Sequence, residues 1–241
     1  YNYTTSWESI VFDFKNKKKI YPINIEETLP GYYKPSFFKT PFENKVISII
    51  DRRTVDTSLW TGIKVIDGIV PIGRGQRQLI IGNRQTGKST IAINTILAQK
   101  NKYEICKENV FSIYVSIGQK LNTISSYIKI FKKNNLTRFI IMVAPASIAA
   151  PLQFIAAFTG TSIGEWFRDL GFHALVIYDD FSKHAAAYRQ MSLLIRRSPG
   201  REAYPADIFY VHARLLERSS NNSIRLGNGS LTALPIIEIE G

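Results

Sequence analysis

The sequence predicts an α/β domain with a mainly parallel sheet flanked by helices, preceded by a short irregular N-terminal segment. Three observations carry that prediction. Leu79-Ile80-Ile81 runs straight into a glycine-rich loop, Gly82-Asn83-Arg84-Gln85-Thr86-Gly87-Lys88-Ser89. From about Thr61 onward, strand-length apolar runs alternate with helix-length segments. One of those runs, Ala174–Tyr178, ends in the pair Asp179-Asp180. Alternating strands and helices imply right-handed crossovers, a parallel sheet, and ligands gathered at the carboxyl ends of the strands.

Residues 1–60 read as linker and short strands, with the run Lys17-Lys18-Lys19 and prolines at 22, 30, 35 and 41. The P-loop domain is expected over 61–241. Leu79–Ile81 is its first buried strand. Ser89–Gln99 follows as a helix, with Ile91, Ile93, Ile96 and Leu97 on its packed side. Phe111–Ile117 is the next strand and Asn122–Lys133 the next helix. Phe139–Ala144 is a third strand, followed by a helix over Pro151–Leu170, whose first turn tolerates the proline. Ala174–Tyr178 is the fourth strand. Ser182–Arg197 and Asp207–Ser219 are further helices.

Composition sets limits. The chain has 241 residues, 45% of them hydrophobic, enough for one α/β domain and a smaller appendage. A single cysteine, Cys106, excludes an intrachain disulfide framework. The 26 residues from Phe139 to Gly164 carry no charge, but Pro145 and Pro151 interrupt them, so a strand and a helix are expected rather than a membrane span. Net charge is +12. Residues 1–60 hold 9 basic and 7 acidic residues, so most of the excess lies in the P-loop half. Lys129, Lys132, Lys133 and Arg138 form the clearest basic cluster. No RNA-binding aromatic motif accompanies them, so they read as a solvated helix end.

The loop fits G-x-x-x-x-G-K-[ST], with the required strand before it and helix after it. Gly82 and Gly87 are expected to adopt backbone angles closed to other residues, turning successive N–H groups onto phosphate oxygens. The helix beginning near Lys88 adds its positive end, about 0.3–1 kcal/mol at a surface site. Charge-assisted bonds at roughly 1.5–3 kcal/mol each carry more of the affinity. Lys88 is expected on the β- and γ-phosphates of ATP or ADP, and the Ser89 hydroxyl on Mg²⁺. Asp179 completes the metal site as its outer-sphere partner, and Asp180 is either a second carboxylate or a helix cap. After the strand ending at Ile117 comes Gly118-Gln119-Lys120, where related ATPases usually place a glutamate. An amide cannot take a proton at neutral pH, which argues against fast hydrolysis. His173, His184 and His212 have no metal-ligand spacing and read as core or surface residues. Trp7, Trp60 and Trp166 read as packing residues.

Long stretches resemble the α subunit of F-type ATP synthases. They are TGIKVI at 61–66, PIGRGQRQ at 71–78, LIIGNRQTGKS at 79–89, YVSIGQK at 114–120, GEWFRDLGFHALVIYDD at 164–180, AYRQMSLLIRR at 187–197, PGREAYPADIFYVHARLLER at 199–218 and GSLTALPIIE at 229–238. The likeness runs from about Ile49 to Glu238. It implies a RecA-like P-loop NTPase domain with a non-catalytic nucleotide site, in a hexamer of alternating α and β subunits around a central stalk (γ), with a peripheral stalk. By that resemblance Arg84, Gln85, Thr86, Gly87, Lys88, Ser89 and Thr90 are expected on the phosphates, Ser89 and Asp179 at Mg²⁺, and Gln119 in place of a general base, with no catalytic residue of the chain's own. The family usually has Asp at Asn83, Thr at Ser89, Gln at His184 and Pro at Ser198. Residues 1–60 would hold a linker and a remnant of the family's β-barrel region. The domain is expected to be incomplete at its C-terminal end, with a further polypeptide completing the subunit. The implied place is the matrix side of the mitochondrial inner membrane, peripheral, without membrane insertion and without nucleic acid. The alternative is a hexameric RNA-translocating ATPase of the Rho kind, on the same fold.

Overall fold

The computed structural model describes residues 10–13, 44–106, 110–136 and 138–239. Among these residues six parallel strands make one sheet: β1 (Ile10–Asp13), β4 (Ile80–Gly82), β5 (Val110–Ile117), β6 (Phe139–Ala144), β7 (His173–Asp179) and β8 (Ser230–Glu238), in the order β1-β6-β5-β7-β8-β4. The short strands β2 (Ser58–Leu59) and β3 (Ile72–Gly73) pair antiparallel around helix α1 (Lys64–Ile69). That small ladder crosses the expected division at residue 60. Asn44 and Arg52 tie the preceding segment down as well, through Asn44 Nδ2 to Glu165 Oε2 at 2.6 Å and Arg52 Nη1 to Glu217 Oε1 at 2.9 Å.

The centre of the sheet is buried on both faces, and its sequence shows why. VFSIYVSI in β5 and FIIMVA in β6 are near-continuous apolar runs rich in β-branched residues, and every position in both is buried. Alternation splits their side chains between two cores. Phe111, Ile113, Val115 and Ile117 pack with Val176 and Tyr178 against α4 (Ala150–Asp169), α5 (Phe181–Leu194) and α6 (Ile208–Leu216). Phe111 stacks on Phe167 with ring centroids 4.1 Å apart. On the opposite face Tyr114, Ile141, Leu175 and Ile177 pack with Ile93 and Ile96 of α2 (Lys88–Cys106) and with Ile124 and Phe131 of α3 (Leu121–Lys133).

Several expectations shift. The packed side of α2 also includes Thr95 and Gln99, each of which donates one side-chain hydrogen bond to a backbone carbonyl. Thr95 Oγ1 donates to Ile91 O at 2.9 Å, and Gln99 Nε2 donates to Trp60 O at 2.6 Å. Among the described residues the P-loop strand β4 is not buried: it lies at one edge of the sheet, and Leu79 and Ile81 are exposed. Its neighbour among the described residues, β8, does not read as a strand from sequence because Pro235 lies within it, and proline lacks the N–H that an interior ladder uses. Trp166 packs on Phe167 as expected, whereas Trp60 is exposed and Trp7 lies outside the described residues. Of the basic cluster, Lys132 and Lys133 occupy the last turn of α3, where cations complement the helix dipole. Among the described residues, no helix is long and apolar enough to cross a membrane. The apolar, uncharged run is divided as expected into β6 and α4, with Pro151 in the first turn of α4.

Candidate nucleotide site

The glycine-rich loop links β4 to α2, so Arg84, Gln85, Thr86 and Gly87 lie on the loop and Lys88, Ser89 and Thr90 in the first helical turn. Two glycines shape it, for different reasons. Gly87 has φ +89°, a left-handed conformation that side chains disfavour. Gly82 has no such angle. A Cβ there would stand 2.9 Å from Thr86 Oγ1, so the close approach of Thr86 is what demands glycine, which corrects the expectation from sequence. Gln85 is itself left-handed at φ 61°. Thr86 Oγ1 donates to Asn83 O at 2.8 Å and closes the turn. Lys88 Nζ reaches back to Gly82 O at 2.6 Å and also donates to Asn83 O. The ammonium therefore sits inside the curve of the loop, where a phosphate chain would lie.

The second half of the site comes from the sheet. Asp179 is the last residue of β7 and is 3% exposed. Ser89 Oγ donates to Asp179 Oδ2 at 2.7 Å, joining the start of α2 to the end of β7. Tyr114, from the middle of β5, donates its phenol to the same oxygen. Burial first, and then the charge of Asp179, push the Tyr114 phenol well above its ordinary range, so it stays a proton donor. Tyr127 of α3 lies beside Tyr114 with ring centroids 5.9 Å apart, and its phenol is raised chiefly by burial. Hydroxyl and carboxylate oxygens are hard ligands, and a hydroxyl with a carboxylate behind it is the donor set Mg²⁺ takes beside nucleotide phosphates. The residues present fit that ion.

The neighbouring carboxylate has a different task. Asp180 caps α5, its Oδ1 accepting from Lys183 N at 2.7 Å, which settles the choice left open by the sequence. Its carboxyl is raised by burial, with Lys183 opposing.

Gln119 follows β5 two residues after Ile117, is 8% exposed, and has an Oε1 with no hydrogen-bond partner. Ser116 Oγ, in register with Asp179 across the β5–β7 pair, is likewise buried and unpartnered. At the far side of the loop, Arg84 Nε meets Glu238 Oε1 of β8 at 3.1 Å, although Arg84 is 76% exposed and the pair contributes little to stability. Sequence reading missed Tyr114 and Glu238. Strand alternation would have flagged Tyr114, a polar tip on the Asp179 side of a buried strand. Glu238 depends on β8, which was not read as a strand.

The histidines are closer together than the sequence showed. His184 is fully buried, and its Nδ1 lies 3.0 Å from His212 Nε2. His184 Nε2 lies 3.1 Å from Phe154 O. Only a donor can face a carbonyl, so His184 carries its proton on Nε2 and accepts from His212. Among the described residues no group of three or more His, Cys, Asp or Glu could hold a metal ion.

Comparison with known proteins decides the family. Residues 62–241 match the model of the ATP synthase alpha/beta family, nucleotide-binding domain. The chain belongs to the ATP synthase alpha/beta family. Among its relatives, the ATP synthase subunit alpha of Wolbachia pipientis subsp. Culex pipiens is 57% identical over 205 residues, covering 84% of this chain and 40% of the relative. The subunit alpha of Ehrlichia ruminantium (strain Gardel) is 56% identical over 205 residues, with the same coverage. The chain thus spans about two-fifths of the length of these relatives. ATP synthase alpha/beta membership agrees with the loop, the parallel sheet and the strand-end aspartate. It also makes nucleotide binding the property for which the domain is named.

Proposed function

We propose that this chain is the nucleotide-holding part of an F-type ATP synthase α subunit, and that its site keeps Mg-ATP or Mg-ADP without turning it over. The observation that carries this reading is Gln119: a buried amide two residues after β5, the strand whose Tyr114 reaches Asp179, itself bonded to Ser89 of the phosphate loop. The loop N–H groups, the N-terminus of α2 and Lys88 hold and orient phosphates. Ser89 and Asp179 hold the ion, which neutralises phosphate charge when bound. Nothing at Gln119 accepts a proton from an attacking water, and an amide left without a base partner orients water at most.

The resemblance supplies the partners of this reading: β subunits on either side, the central stalk and a peripheral stalk. The α-subunit relatives weigh against the Rho-like alternative. The mitochondrial inner membrane, matrix side, is the location we propose for a peripheral protein of this kind. The relatives named above are bacterial, so a bacterial plasma membrane is the competing location, and subcellular fractionation separates the two. Purification through a tag on this chain, followed by mass spectrometry, tests the assembly. Co-purification of β- and γ-type chains, and of any polypeptide completing the subunit, is expected. A chain that purifies with RNA and hydrolyses ATP on RNA addition would overturn the reading.

A further inference from the structure

We propose that Tyr114 is a positioning residue of the metal site, holding the Asp179 carboxylate in the orientation that serves Mg²⁺. This rests on the reading of the site as a Mg-nucleotide site.

The argument starts from the strand. Tyr114 lies on the same face of the sheet as Asp179, and the β5–β7 register puts Ser116 opposite Asp179 and Tyr114 opposite Ile177, one side-chain repeat earlier. A phenol is long enough to span that step, and its hydroxyl reaches Asp179 Oδ2. Tyr114 is 1% exposed and its ring is packed into the core with Ile141, Leu175 and Ile177, so the hydroxyl is delivered from a fixed base. Ser89 Oγ reaches the same oxygen from α2. Asp179 Oδ2 therefore accepts two hydroxyls from two different elements, and these fix the rotation of the carboxylate. Ser89 is itself expected on the ion and has to rearrange its bond when the ion arrives. Tyr114 has no such second task. It is the donor that can keep Asp179 in place through binding and release. Loss of a group that orients a metal ligand typically costs roughly 10–100-fold in metal affinity.

A second buried tyrosine provides the comparison. Tyr178 is fully buried on the opposite face of the sheet, and its hydroxyl pairs with Thr161 Oγ1 at 2.8 Å, away from the site. Losing that hydroxyl removes a buried hydrogen bond without touching Asp179.

The test uses the assembled complex containing this chain, with the P-loop lysine of the β-type subunits replaced so that retained ATP reports this site. ATP retention is measured against free Mg²⁺, and separately in EDTA, for wild type, Tyr114→Phe and Tyr178→Phe. Tyr114→Phe should raise the Mg²⁺ midpoint by roughly tenfold or more. Retention in EDTA should be unchanged, and Tyr178→Phe should match wild type in both. In an Asp179→Asn background, Tyr114→Phe should shift the midpoint less than about twofold, because the two changes act through one carboxylate. An unchanged midpoint in Tyr114→Phe overturns the proposal, as does an equal fall with and without Mg²⁺. Wild type that retains no ATP at saturating Mg²⁺ overturns the nucleotide-site reading and this inference with it. Should Tyr114→Phe fail to assemble, an experimental structure of the wild-type complex with Mg-ATP decides: a Tyr114 hydroxyl still on Asp179 supports the proposal, and one turned away refutes it.

Discussion

Ser89 Oγ donates to Asp179 Oδ2 across 2.7 Å, so the first turn of α2 and the last residue of β7 are bonded directly to each other. The two halves of the P-loop site are held together by that bond.

The first prediction follows from that bond. Ser89→Ala removes both the expected metal ligand and one of the two hydroxyls on Asp179. Mg²⁺-dependent retention of ATP should fall by roughly 10–100-fold, whereas Ser89→Thr, which keeps the hydroxyl, should remain near wild type. Equilibrium dialysis with labelled ATP at graded Mg²⁺ measures both. Equal losses in the two variants would detach the hydroxyl from metal binding.

The sequence showed most of this site because the chemistry is local. A phosphate loop is eight consecutive residues, and its lysine and serine can be named without knowing the fold. Asp179 needed only the end of one apolar strand. What stayed hidden depends on which strands become neighbours. Glu238 meets Arg84 because β8 lies beside β4, and Pro235 concealed β8. Tyr114 meets Asp179 because β5 pairs with β7 in a particular register. His184 and His212 looked scattered, yet α5 and α6 bring them into contact. The exposure of β4 was misread for a related reason: an apolar tripeptide does not tell a central strand from an outer one.

A second prediction concerns Gln119. If only a base were missing, Gln119→Glu would start hydrolysis. A general base contributes typically about 10²–10⁴-fold, and a missing arginine finger can cost about 10³–10⁵-fold. The site is expected to lack a transition-state arginine as well, because the resemblance gives no indication that a neighbouring β subunit supplies one in catalytic geometry. Gln119→Glu in the assembled complex, with the β-type P-loop lysine disabled, should retain nucleotide and show no appreciable steady-state turnover. Turnover near the native rate would contradict this.

The buried histidines set a pH dependence. Burial, and then His212, hold His184 down at about 3, and burial holds His212 at about 4, both below the ordinary value near 6.5. Both are therefore neutral in the folded chain, while the unfolded chain binds protons first as pH falls. Stability from this pair is present in full above about 6.5 and is lost progressively as pH falls from there toward about 3. His184→Gln should flatten the thermal midpoint between pH 6.5 and 4, beyond the contribution of carboxylates common to both proteins. Parallel profiles for wild type and variant would refute the assignment.

A buried ion pair locks α4 to the segment after α6. Arg218 Nε donates to Glu165 Oε1 at 2.9 Å, Arg218 Nη2 donates to Glu165 Oε2 and to Ser162 Oγ at 2.8 Å, and both charged side chains are 2% exposed. Removing one partner strands the other charge, so Glu165→Ala should cost about 3–5 kcal/mol. Urea unfolding measures it, and a change below about 1 kcal/mol would show that water reaches the pair.

The central claim is that this site binds a magnesium nucleotide and does not consume it. The most direct test follows ATP on the chain over time in complexes whose β-type sites are disabled, measuring bound nucleotide and released phosphate together, for wild type and Lys88→Ala. Retained ATP with no phosphate release in wild type, and no retention in Lys88→Ala, is the predicted result. Rapid phosphate release that depends on Lys88 would contradict the account.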